Sequence, residues 1–128
     1  MITGVNRVGI VTDDQAAAKR FWTETVGFEL IKDDPYDSSN EAGPRWIEVM
    51  PPDETVVLVL NARKEGQPST AGHLSHVLFQ CDDVEQTGKE LMDRGVEFVH
   101  EPAKQFWGWS ATFKDPDGNL YVLNQRQG

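Results

Sequence analysis

Cysteine is almost absent from this chain. Cys81 stands alone among 128 residues, so no internal disulfide can form and the fold does not need an oxidising compartment. Long apolar runs are missing too, and none approaches the roughly 20 residues with which a helix crosses a bilayer. The opening Met1-Ile2-Thr3-Gly4 has neither the basic region nor the apolar stretch of a secretion signal. A cytoplasmic protein with no membrane partner is the expectation. Positive charge is scarce as well: 12 Lys and Arg stand against 21 Asp and Glu, a formal net charge of -9. Such a field repels phosphate backbones, which argues against nucleic acid as a partner. The same acidity also serves plain solubility.

What is present is enough apolar content to build a core. Hydrophobic residues make up 38% of the chain and run along its whole length, which sets it apart from disordered chains. Residues 5 to 11 alternate as a strand, with Val8 and Ile10 on one face and Arg7, Gly9 and Val11 on the other. The period then changes. Asp13 and Asp14 are good N-caps, Ala17, Ala18, Phe21, Thr25 and Val26 share a helical face, and Gly27 offers a stop. The same order returns from residue 74, where Val77, Phe79 and Cys81 share a strand face. Asp83 and Gln86 then have capping-box spacing, and an apolar stripe runs to Gly95. Helices are expected near residues 14 to 26 and 83 to 94.

Each helix is followed by an irregular stretch, a Trp-containing strand, a Pro-Asp turn and a further apolar strand. The first half has Arg45 to Met50, then Thr55 to Leu60. The second has Trp109 to Lys114, the turn Asp115-Pro116-Asp117-Gly118-Asn119, and Leu120 to Asn124. The chain reads as one unit written twice: a first module of about residues 1–62, a polar linker of about 63–72 and a second module of about 73–128. Together they form one domain. One amphipathic helix per strand-rich half implies an α+β fold, with each helix covering one sheet face and the other faces left to form a cleft.

Val11-Thr12-Asp13-Asp14 through Phe21-Trp22, Val26-Gly27-Phe28, and Phe113-Lys114-Asp115-Pro116-Asp117-Gly118-Asn119 together resemble the vicinal oxygen chelate superfamily of glyoxalases, bleomycin resistance proteins and extradiol dioxygenases. The resemblance covers nearly the whole chain and implies two tandem βαβββ modules. It also implies a divalent metal held by the first and last strands of each half. Counting from the helix caps and the turns puts Arg7, Leu58, His76 and Val122 at those four positions. Only His76 is a plausible ligand. A metal needs several N, O or S donors, and Arg7 would place a fixed cation where the metal should sit. No metal and no other cofactor is therefore expected.

Other residues are candidates for ligand contact. His76 could act as an acid or base near neutral pH, or serve simply as a polar wall. Trp46 and Trp109 lie on strands expected to line the cleft and offer flat aromatic surfaces as readily as core filling, while Trp107, in a Gly-flanked loop, is placed for ligand contact more than for the core. Glu48 alternates with Trp46, so its carboxylate could meet Arg7 or a cationic ligand. Cys81 should pack under a helix, and the Asp115 to Asn119 segment should be a turn without catalytic work. Three functions remain open. The first is a metal-independent binder of a small aromatic molecule using Arg7, Trp46, Glu48, Leu58, His76, Trp107, Trp109 and Val122. The second is a metal-free lyase or isomerase in which His76 and Arg7 are catalytic. The third is a metal-dependent glyoxalase- or dioxygenase-type enzyme with a rebuilt ligand set. The resemblance also implies a homodimer.

Overall fold

The computed structural model describes residues 1–125, and the end of the second module, 126–128, lies outside the described residues. The chain divides into two compact units, Met1–Ser69 and Thr70–Gly128. Residues 63–69 of the expected linker thus go with the first unit, where the Arg63 amide donates to the Thr12 carbonyl at 2.9 Å. Residues 70–72 go with the second, where the Thr70 hydroxyl bonds Asn119 Oδ1 at 2.5 Å.

In the first unit, β1 (Arg7–Thr12) leads into the helix α1 (Gln15–Arg20). Asp14 starts the helix from an extended backbone, its carboxylate accepting from the Ala17 amide at 3.0 Å and so satisfying one of the orphan donors of the first turn. The helix ends in a wider, π-helical turn (Phe21–Thr25), where the Val26 amide reaches back to the Phe21 carbonyl at 2.9 Å. This turn carries the fully buried Trp22, stacked on Phe28 at 5.5 Å and met edge-on by Phe21 at 5.1 Å. Gly27, with φ 95°, then takes the left-handed conformation that ends helices at little cost to glycine.

Three strands follow, β2 (Glu29–Pro35), β3 (Arg45–Met50) and β4 (Val57–Ala62), and the sheet order is β1-β4-β3-β2 with β1 and β4 parallel. The second unit repeats this with β5 (Leu74–Cys81), α2 (Val84–Asp93), β6 (Phe98–Gln105), β7 (Gly108–Lys114) and β8 (Leu120–Gln125), in the order β5-β8-β7-β6. The fold is α+β, two βαβββ modules, as expected. The helices fall within a residue or two of the expected spans. No helix among the described residues is long and apolar enough to cross a membrane.

Each helix packs on one sheet face, and that face is the core. In the first unit it holds Ile10, Ile47, Val49, Leu58 and Leu60, all nearly inaccessible. Lys19 of α1 reaches Asp33 on that face at 2.7 Å, and Arg45 meets the other Asp33 oxygen at 2.6 Å. In the second unit it holds Phe79, Ala111, Phe113, Tyr121 and Leu123, with Phe113 stacked on Tyr121 at 5.5 Å. Gly88 lets α2 sit close to β6, since a Cβ there would lie 2.4 Å from Pro102 Cγ.

The turn between β7 and β8 is wired internally, as a turn rather than a site. Asp115 Oδ1 accepts from the Asp117 and Asn119 amides at 3.0 and 2.9 Å, while Oδ2 accepts from Asn119 Nδ2 at 2.8 Å and from the Tyr121 hydroxyl at 2.7 Å. Burial pushes the Asp115 carboxyl above its ordinary range despite the hydrogen bonds from Asn119 and Tyr121, and pushes the Tyr121 phenol up further.

Candidate functional site

Strand alternation assigns the helix-free faces. In the first sheet Gly9 pairs with Val59, and Val59 with Glu48, so the face opposite α1 carries Arg7, Gly9, Trp46, Glu48 and Val59. Three of these form a bonded cluster. Glu48 is only 4% exposed, and its Oε2 accepts from Arg7 Nε at 3.1 Å and from the Trp46 indole N–H at 2.6 Å. A carboxylate withdrawn from water needs such donors to remain ionised. The Trp46 hydrogen bond lowers the Glu48 carboxyl, burial opposes it, and the hydrogen bond and charge of Arg7 with the charge of Lys32 complete the downward shift. At neutral pH the group is a carboxylate.

Two residues join this cluster that the sequence did not single out. Lys32 on β2 is the register partner of Glu48, reached only past an irregularity between Leu30 and Lys32 that simple alternation cannot anticipate. Tyr36, just beyond β2, meets Trp46 edge-on at 6.2 Å. Gly9 also has a reason to lack a side chain, because the Asn61 amide lies 2.7 Å from where its Cβ would sit.

The register corrects two of the expected positions. Leu58 pairs with Val8 and Val49 and is 3% exposed on the helix face, so the last-strand residue beside Glu48 is Val59. The cause is turn length: residues 51–56 separate β3 from β4, one more than the 115–119 that separate β7 from β8. One residue moves a strand's whole pattern to the other face. Trp109 is likewise on the helix face with Ala111 and Phe113, because Ser110 and Thr112 face the other way with Val122. Val122 lies on the helix-free face, as counted.

His76 is exposed at a break in its strand. Between the pairs Leu74 with Leu120 and Leu78 with Val122, β5 advances four residues while β8 advances two, and His76 has φ 67°. A non-glycine residue in that region costs of order 1–2 kcal/mol. Among the described residues its imidazole has no hydrogen bond or ion pair. Trp107 is at the tip of the β6 to β7 hairpin, half exposed, with the almost fully exposed Phe106 against it at 4.6 Å. Cys81 shares the helix face with Phe79, and burial pushes its thiol up, against hydrogen bonds from Thr87 and Asp83. That is the reverse of an activated nucleophile. Among the described residues no three His, Cys, Asp or Glu side chains converge as metal ligands.

Comparison with known proteins agrees with this architecture. The family model of the Glyoxalase/Bleomycin resistance protein/Dioxygenase superfamily matches residues 4–123. The uncharacterized protein YetH of Bacillus subtilis (strain 168) is 35% identical over 127 residues, covering 98% of this chain and 100% of that one. Among solved structures, TnmS3, an antibiotic binding protein from Streptomyces sp. CB03234, is 36% identical with a TM-score of 0.82 over 98% of both chains. A superfamily member from Sphaerobacter thermophilus DSM 20745 is 29% identical with a TM-score of 0.85, again over 98% of both.

Proposed function

Because this chain belongs to the glyoxalase/bleomycin resistance protein/dioxygenase superfamily, we propose that it works as a metal-independent binder of a small aromatic molecule. The observation that carries the reading is the commitment of Arg7 to Glu48. At the first-strand position where the family resemblance expects a metal ligand, a permanent cation is already paired with a carboxylate, and the last-strand positions on the helix-free faces hold Val59 and Val122. These residues do not fit a divalent ion. Trp46 stands beside the pair as an aromatic surface, and the second unit, taken by itself, presents the half-exposed Trp107. The antibiotic-binding relative adds weight to a small-molecule ligand.

A metal-free lyase or isomerase is the second reading, and the left-handed backbone of His76 favours it, since strain of this kind gathers at functional positions. Arg7 fits it less well, because the Glu48 carboxylate offsets the charge with which it would steady an anion. The metal-dependent reading would need His76 and Glu48 to find a further donor. A thermal-shift screen of aromatic compounds tests the first reading, because a ligand of the native state raises the melting temperature. At least one hit is expected, weakened about tenfold or more by Trp46→Ala. Elemental analysis finding about one Zn, Ni, Fe or Mn per chain would overturn metal independence, and turnover of any hit would move the protein to the second reading. The homodimer is part of the proposal, and light scattering from a monomer would remove it.

A further inference from the structure

Resting on that binding reading, we infer that the Arg7, Trp46 and Glu48 cluster reads the edge of its ligand through a paired acceptor and donor. It selects neutral planar molecules with an N–H or O–H beside a carbonyl oxygen, as in a heteroaromatic lactam. Both hydrogen bonds to Glu48 end on Oε2, and among the described residues Oε1 accepts none. The residue is more than nine-tenths buried, yet Oε1 is not one of the side-chain oxygens sealed from solvent without a partner, so it stands open to a ligand donor, and a hydrogen bond to a carboxylate is one of the stronger kinds. Arg7 has the complementary deficit. Of its five N–H groups only the one on Nε is engaged, and the side chain is 49% exposed.

The free acceptor and the free donors are neighbours, since they belong to two groups already in contact through Oε2 and Nε. Their charges also cancel. A ligand carboxylate would gain Arg7 but meet Glu48, and an ammonium group would meet the reverse. Lys32 does not upset the balance, because Asp34 stands 3.9 Å from its ammonium. A lactam offers its N–H to Oε1 and its carbonyl to the guanidinium at once, without a net charge to desolvate. The indole N–H of Trp46 is spent on Glu48, which fixes the ring in orientation beside this anchor.

The test uses calorimetric titration with 1(2H)-isoquinolinone, its N-methyl derivative and 1-naphthoate. The lactam should bind at least about tenfold more tightly than either, because each comparison removes or opposes a hydrogen bond to a charged group. In Glu48→Gln the amide oxygen can keep the bonds from Trp46 and Arg7 while the amide nitrogen replaces Oε1 with a donor. The preference for the lactam over its N-methyl derivative should then fall below about threefold, with a melting curve to verify folding. Equal binding of the lactam and its N-methyl derivative by the native protein overturns the anchor and leaves the binding reading standing. So does a preference that survives Glu48→Gln. Absence of binding by all three overturns the anchor, and if the wider aromatic screen is also empty the binding reading falls with it.

Discussion

Arg7 and His76 occupy corresponding places in two copies of one topology, each two residues before a residue that pairs with the central valine of the last strand, Val59 or Val122. Their surroundings differ in kind. Arg7 lies on a regular strand and is held by a carboxylate from β3. At the matching place on β7 the second unit has Thr112, an uncharged residue that pairs with Val122 as Glu48 pairs with Val59. His76 is placed instead by its own backbone, through a register break and a positive φ. Topology therefore conserves the address of a side chain while leaving open what fixes it there: an ion pair with its neighbour in one unit, local strain in the other.

The largest effect that can break this comparison lies in the turns. Asp115→Ala strips the acceptor from two backbone amides, the Asn119 side chain and the Tyr121 hydroxyl, and should cost about 3 kcal/mol or more in urea unfolding. Asp53→Ala, in the exposed turn of the first unit, should cost under about 1 kcal/mol. Similar losses from both would mean that the two turns do equivalent structural work. Next is Arg7→Ala, which leaves the buried Glu48 with one hydrogen bond fewer. A loss of about 2 kcal/mol is expected, the half exposure of Arg7 holding it below the cost of breaking a fully buried pair.

The two buried carboxyl groups should respond to acid with opposite signs. Glu48 is lowered in the folded state, so its stabilisation is present above the ordinary 4.5 and is lost as pH falls through the folded value. Asp115 is raised, so its contribution is most favourable below 3.8 and declines as pH rises through the folded value. Melting temperatures of the native protein and Glu48→Gln should therefore converge as pH falls below 4.5. A constant gap down to the folded value would show that the Glu48 charge is not what the cluster stabilises. The smallest effect is at the other address. His76→Gly should raise stability by about 0.5 kcal/mol by relieving the left-handed strain, less the entropy glycine gains on unfolding, whereas a loss above about 1 kcal/mol would show that the imidazole has structural contacts.

Most of the fold was legible because its signals are local: Asp14 and Asp83 at the caps, Gly27 and Gly95 at the stops, the same strand order twice. The pairing of Arg7 with Glu48 could be foreseen from two alternating strands. Leu58 and Trp109 could not be placed, since Leu58 follows a turn one residue longer than its counterpart and Trp109 follows a hairpin of two residues, 106–107, where the first unit has nine, 36–44, and a composition pattern does not count residues across a turn. Lys32 and the conformation of His76 were hidden for a related reason. Both follow strand irregularities, where the period of two that underlies such reasoning stops holding.

The parallel pairing of β1 with β4 has a consequence for synthesis. Arg7 has to find Val57, and Leu74 has to find Leu120, so in each unit the first strand made is an edge that waits for the last. As the chain leaves the ribosome, β1 has no partner until the residues of β4 have emerged, by which time α1, β2 and β3 are already available to form around the gap. Each sheet therefore takes in its first strand late, the first near residue 62 and the second only with β8. Truncation just short of either point should leave a sheet with its first strand unpaired, a form more open to aggregation and to proteases than the full-length chain.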